Sequence, residues 1–283
     1  MKPTLKINFL SSNHTSMLTT LHQQQKHCIV YLKVRSGRLG NRMFMIASAY
    51  GLARLHSCHL YITPEIINEV HALFILDLSP FLISTTMFNS IIHNTLKPMT
   101  TIRKHAGCQY VRELTRPNAI SPEHILELHE NHQLFKKQLT QSNWTTWVGI
   151  HIRRKDFVPL NFSSSDQYLF AAIDYYTSHY SNVHFIVASD DKSYCKNLFR
   201  HWSNITVTPQ SFSIGDDLIA LSLCEHSIIT GGTFGWWTGY LANGEVIHDK
   251  LYPSGCERRE YYYPPWFLID GDVRAHKNGN YTL

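Results

Sequence analysis

The chain has 283 residues, 43% hydrophobic and 17% charged, proportions of a folded protein with one large core or two modest ones, which argues against disorder. Its net charge of +5, with eighteen histidines counted neutral, is spread along the chain. That suits a small anionic partner better than nucleic acid, for which no basic stripe interleaved with aromatics is present. Nowhere do about 18 apolar residues run together, so no membrane anchor is expected within these residues.

Six cysteines, Cys28, Cys58, Cys108, Cys195, Cys224 and Cys256, contain no CxxC pair, so a cysteine zinc site is not indicated. Disulfides stay open, with no readable pairing. N-x-S/T triplets at Asn13, Asn143, Asn161, Asn204 and Asn280 lean towards a secretory compartment.

In chain order, residues 1–27 carry no convincing period and read as a poorly ordered lead-in. Residues 28–34 predict a buried strand, and the turn Gly37-Arg38-Leu39-Gly40-Asn41 opens a helix over 42–56 that is apolar nearly all round. A short strand over 59–63 follows. From 64 to 146 the signal weakens, with helical patches at 66–74 and 122–138.

The second half is clearer. Strands at 148–153, 184–189, 205–208, 227–230 and 245–248 alternate with helices at 165–180, 192–201, 216–226 and 234–242. Such alternation predicts a parallel sheet covered on both faces. The fold class expected is α/β: two Rossmann-like domains facing a cleft, 28–146 and 147–265, with a tail at 266–283.

Three stretches could carry chemistry. His151-Ile152-Arg153-Arg154-Lys155-Asp156 ends an apolar strand, where open α/β sheets place ligands, and two arginines there can direct planar charged forks at a phosphate. A structural ion pair of Arg153 or Arg154 with Asp156 is the competing reading. The turn at 37–41 joins strand to helix and could receive an anion at the helix start. It lacks the GxGxxG and Walker patterns, so neither a nicotinamide enzyme nor a P-loop NTPase is supported, and a plain turn with Asn41 as helix cap competes. Ile229-Thr230-Gly231-Gly232-Thr233-Phe234-Gly235-Trp236-Trp237 again runs from strand into helix; Thr233 could bond a phosphate or sugar oxygen, while Trp236 and Trp237 read as core. Asp270-Gly271-Asp272 matches an acidic D-x-D but reads as a turn, and His129-Glu130-Asn131-His132 lacks the HExxH spacing.

Read together, the GRLGN turn at 37–41, HIRRKDF at 151–157, FIVASDD at 185–191 and DLIALSLCEHSIITGGTFGWWTGYLANG at 217–244 resemble glycosyltransferase family 11, the α-1,2-fucosyltransferases. The resemblance runs from about Val34 to Pro265. It implies a GT-B-like, inverting enzyme with no metal or other cofactor, whose second domain holds GDP-fucose and whose acceptor is the 2-hydroxyl of a terminal β-galactoside on a glycan. It also implies a Golgi enzyme, lumenal or held as a type II membrane protein.

By the same likeness Arg153 and Arg154 would grip the pyrophosphate. His151 and Asp156 would shape the pocket, Gly40 and Asn41 would face the donor phosphates across the cleft, and Ser189, Asp190 and Thr233 would surround the nucleotide. Asp156 reads either as the base for the acceptor hydroxyl or as a partner that orients an arginine, the second being favoured. Lys155 departs from the family pattern, which has glycine there. That departure motivates the alternative of a catalytically inactive sugar-nucleotide-binding or lectin-like protein of the same fold.

Overall fold

The computed structural model describes residues 29–32, 37–74, 78–94, 143–249 and 267–269. In the second half, apolar runs such as Phe185-Ile186-Val187-Ala188 are what parallel strands require when both their faces are covered. The strands are β3 (Thr146–Ile152), β4 (Val183–Ser189), β5 (Ile205–Val207), β6 (His226–Ile229), β7 (Val246–His248) and β8 (Phe267–Ile269), preceded in the first half by β1 (Ile29–Leu32) and β2 (His59–Ile62). The six later strands form one parallel sheet in the order β5-β4-β3-β6-β7-β8. The chain reverses direction across the sheet between β5 and β6, so β3 lies between β4 and β6 at a switch point, where such sheets open a crevice.

Seven helices are described. The first half supplies α1 (Leu39–His56), α2 (Pro64–His71) and α3 (Thr85–Asn94); the second supplies α4 (Asp166–His179), α5 (Lys192–Leu198), α6 (Ile214–Ser222) and α7 (Thr233–Ala242). Alternate β4 residues face opposite layers. Phe185 and Val187 pack with α4 residues such as Leu169 and Tyr176, whereas Ile186 and Ala188 meet Ala220 and Leu221 of α6. Tyr168 ties α4 to the sheet by donating to the carbonyls of Ile229 and Ile247 at 2.9 and 3.1 Å. Three of the helix starts have side-chain caps: Ser165 for α4, Asp191 for α5, and a reciprocal Ser213–Asp216 capping box for α6.

In the first half β1 and β2 pair in parallel across α1. The all-round apolarity of α1 has a plain cause, because one side covers these strands and the other packs on α7. Phe44 lies 4.5 and 5.0 Å from the rings of Trp236 and Trp237, and one core cluster contains residues of both halves. Trp236 and Trp237 are therefore core residues.

The structure corrects several boundaries. Helix α1 begins at Leu39, three residues before the predicted start, so Asn41 lies inside its first turn and Arg38 occupies the cap position. Asn41 is thus not the helix cap. Helix α6 starts at Ile214 and ends at Ser222, and strand β8 falls within the stretch read as a tail. Helix α3 lies in the region where the sequence signal was weak. The helical patch at 122–138, His129 to His132 and Asp270 to Asp272 lie outside the described residues. Cys195 and Cys224 are buried free thiols, and Cys58 is disulfide-bonded.

Candidate functional site

At the carboxyl ends of β3 and β4 a cavity of about 360 Å³ opens between the 37–41 turn and the start of α7. It gathers Gly40, Asn41, His151, Arg153, Asp156, Ser189, Asp190 and Thr233, eight of the nine residues singled out from sequence. Arg154 does not line it. Its guanidinium stacks 3.4 Å over the Tyr194 ring and lies 3.9 Å from Asp191 Oδ2. Lys155 is exposed and also stands outside the lining.

Arg153 is anchored at both ends. Its backbone N–H donates to Thr230 Oγ1 at 2.8 Å, while Nη2 donates to Asp156 Oδ2 at 2.6 Å and Nη1 pairs with Asp190 Oδ2 at 3.3 Å. Asp190 Oδ1 accepts from the Arg154 N–H at 2.9 Å and from the Lys155 N–H at 3.4 Å, which fixes the loop after β3. Ser189 accepts from the Asp191 N–H at 2.9 Å and so shapes the neighbouring turn. Across the cleft Thr233 Oγ1 donates to Asn41 Oδ1 at 2.7 Å, and Trp237 Nε1 donates to the Gly40 carbonyl at 3.1 Å. The two halves are joined beside the cavity by Gly40, Asn41 and Thr233, which line it, and by Trp237.

The electrostatics sort these groups by role. Burial, and after it the charge of Arg153, pushes the His151 pKa down to about 3, so its ring is neutral. Desolvation works to raise the Asp156 carboxyl, but the hydrogen bond and charge of Arg153 outweigh it, and its pKa is lowered. Asp156 is a carboxylate at neutral pH and a weak proton acceptor. Helices α1 and α7 both begin at the cavity without a side-chain cap and without an acidic residue in the first turn. The N–H groups of their first turns and their dipoles favour an anion there. Among the described residues, no group of three or more His, Cys, Asp or Glu is gathered for a metal ion.

The pH dependence of His151 has a definite sign. Its folded-state pKa lies below the ordinary 6.5, so protonation favours the unfolded chain. The contribution is complete above the unfolded value and is lost as pH falls towards the folded one. Thermal midpoints should therefore drop on acidification through this window. Nitrogen NMR should still show a neutral His151 ring at about pH 5; a protonated ring there would refute the assignment.

Sequence reasoning missed Arg38, Phe157, Ile214 and Asp217, which also line the cavity. Asp217 had a signal, the second acid of a pair that adjoins the apolar run Leu218 to Leu221. It is buried, and its Oδ1 accepts from Thr208 Oγ1 at 2.7 Å and Lys192 Nζ at 3.0 Å.

A parallel sheet with a crevice at its switch point, closed by a second α/β half, defines a GT-B-like fold. The solved structure of NodZ alpha-1,6-fucosyltransferase soaked with GDP-fucose shares that fold. It has a TM-score of 0.50 at 16% identity, over 82% of this chain and 98% of that one. The model of glycosyl transferase family 11 matches residues 7–267, and the chain belongs to that family. It is 30% identical over 269 residues to galactoside alpha-(1,2)-fucosyltransferase 2 of Pongo pygmaeus, covering 84% of this chain and 78% of that one. The namesake protein of Sus scrofa is 28% identical, with 84% and 79% covered.

Proposed function

We propose that this protein transfers L-fucose from GDP-fucose to the 2-hydroxyl of a terminal β-galactoside, inverting the anomeric centre and using no bound metal. The observation that carries this reading is the convergence of Arg153 and two helix starts without side-chain caps on one cavity. Cleavage of the fucose–phosphate bond builds negative charge on the departing GDP, so fixed positive charge there lowers the barrier. Membership of family 11 and the galactoside specificity in the names of its relatives support the acceptor class.

In this mechanism Arg153 takes the leaving diphosphate, and the N–H groups opening α1 and α7 share its charge. Neutral His151 shapes the wall instead of adding a cation, and Asp156 holds Arg153 in place before the donor binds. A base is needed only late if the transition state is strongly dissociative. Lys155 stands outside the cavity lining and joins it through its backbone N–H, which donates to Asp190 Oδ1, so the departure that motivated an inactive binding protein puts no side chain into the cavity. A Golgi location is part of this proposal and rests on the family resemblance and the N-x-S/T triplets; no described helix is long and apolar enough to cross a membrane.

Asp217 is assigned the nucleobase. Thr208 and Lys192 hold one carboxylate oxygen, and Oδ2 makes no hydrogen bond among the described residues. A carboxylate oxygen accepts from the N1–H and N2–H donors that guanine has and adenine lacks. Asp217→Asn is expected to lower the preference for GDP over ADP by about tenfold, read by calorimetry. An unchanged preference would remove Asp217 from base recognition.

The proposal as a whole is tested by GDP release from GDP-fucose with and without a β-galactoside. Release should depend on the acceptor and persist in chelator. Release that needs a divalent ion would contradict the metal-free part, and none with any galactoside would contradict the transfer.

A further inference from the structure

The charges around the cavity do not suit a diphosphate as they stand. Its described lining holds two arginines, Arg38 and Arg153, against three carboxylates, Asp156, Asp190 and Asp217. Asp190 is committed to Arg153 and to two backbone N–H groups, and Asp217 to Lys192 and Thr208. These two side chains are only 17% and 12% exposed, whereas that of Asp156 is 47% exposed. Asp156 is the carboxylate free to leave.

Its position is that of an anion between two cations. One oxygen, Oδ2, accepts from Arg153 Nη2 at 2.6 Å and lies 3.7 Å from Arg38 Nη2, which reaches over from the other half. The turn carrying Arg38 is held firmly. Gly37 has φ +71°, and a Cβ there would fall 2.0 Å from Asn41 Nδ2, so only glycine makes this turn. Arg42 donates to the Gly37 carbonyl at 3.0 Å and pairs with Glu69. The Arg38 side chain itself is 59% exposed, and an ion pair at that separation and exposure is weak.

We propose that Arg38 is a second phosphate-binding residue delivered across the cleft, and that Asp156 is an internal stand-in for phosphate which the donor's diphosphate displaces. The inference rests on the donor reading above and deepens it. A diphosphate offers more charge and more acceptor oxygens than one carboxylate, and two arginine forks match it well. Asp156 then turns to solvent. Arg38 closes on the terminal phosphate and marks a nucleoside diphosphate from a monophosphate.

Calorimetry on the full chain with GDP and GMP tests this. Arg38→Ala should weaken GDP about tenfold or more while changing GMP by less than about threefold, and Arg38→Lys should fall between. Asp156→Asn, which removes the competing charge, should tighten GDP. The exposure of Arg38 means its variants keep the parental melting temperature. An unaltered GDP-to-GMP ratio in Arg38→Ala, or weaker GDP binding by Asp156→Asn, overturns the inference and leaves the donor reading intact. A parent chain that binds neither nucleotide overturns both.

Discussion

Replacing Arg153 with alanine is expected to lower kcat/KM for fucosyl transfer by at least about 10³-fold, with the larger part in kcat. Arg153 is the half-buried cation on the cavity wall, held by Thr230, Asp156 and Asp190 before any donor arrives. A group so fixed needs little reorganisation when charge develops on the leaving diphosphate. Lysine should not rescue it, because a point charge cannot hold two oxygens and two carboxylates in one plane. The neighbouring Arg154→Ala provides the contrast. Its guanidinium lies on Tyr194, outside the cavity lining, so a loss below about tenfold is expected, acting through loop position. Steady-state kinetics on both variants read the difference. Equal losses would mean that the two arginines share the phosphate, as the family resemblance alone implies.

Gly40→Ala should damage fold and site together. A Cβ at Gly40 would sit 2.7 Å from the Phe234 N–H nitrogen and from Thr233 Oγ1, and 2.8 Å from the Thr233 carbonyl carbon. Most of those atoms are backbone at the start of α7, so they cannot turn aside. The two helix starts must separate, stretching the Thr233–Asn41 and Trp237–Gly40 hydrogen bonds that join the halves. Overpacking of this kind costs about 3 kcal/mol. The melting temperature should fall by several degrees, and GDP affinity should fall with it because both anion-receiving helix ends move. A variant with parental melting and parental GDP binding would show that the halves are not locked at this contact.

Much of the second half was legible because its strands are short apolar runs separated by amphipathic or capped helices, and the Ser165 and Ser213 caps are local signals. The site was legible for a different reason. The three stretches that carry it end strands or begin helices, where a parallel sheet must place its ligands, and the family resemblance put them in one pocket.

What stayed hidden depends on side-chain direction and long-range packing. Nothing local distinguishes Arg153 from Arg154; the sheet aims one at the cavity and lays the other on Tyr194, 40 residues further along. Arg38 sat in plain view within the 37–41 turn, but its approach to Asp156 exists only once the halves meet. The start of α1 was set too late because Leu39 and Gly40 look like turn residues. The tertiary contact with α7 continues the helix through them. Strand β8 is three residues long and separated from β7 by a stretch of turn-like composition, so no periodicity marks it.

Fucosyl transfer to the galactose 2-hydroxyl can be measured by incubating the protein with labelled GDP-fucose and a panel of galactose-terminated glycans, then determining the linkage in the product. Label is expected on terminal β-galactose, joined to the 2-hydroxyl in the inverted configuration, with one GDP released for each fucose transferred. Absence of transfer across the panel, or fucose attached at a hydroxyl other than the 2-position, would contradict it.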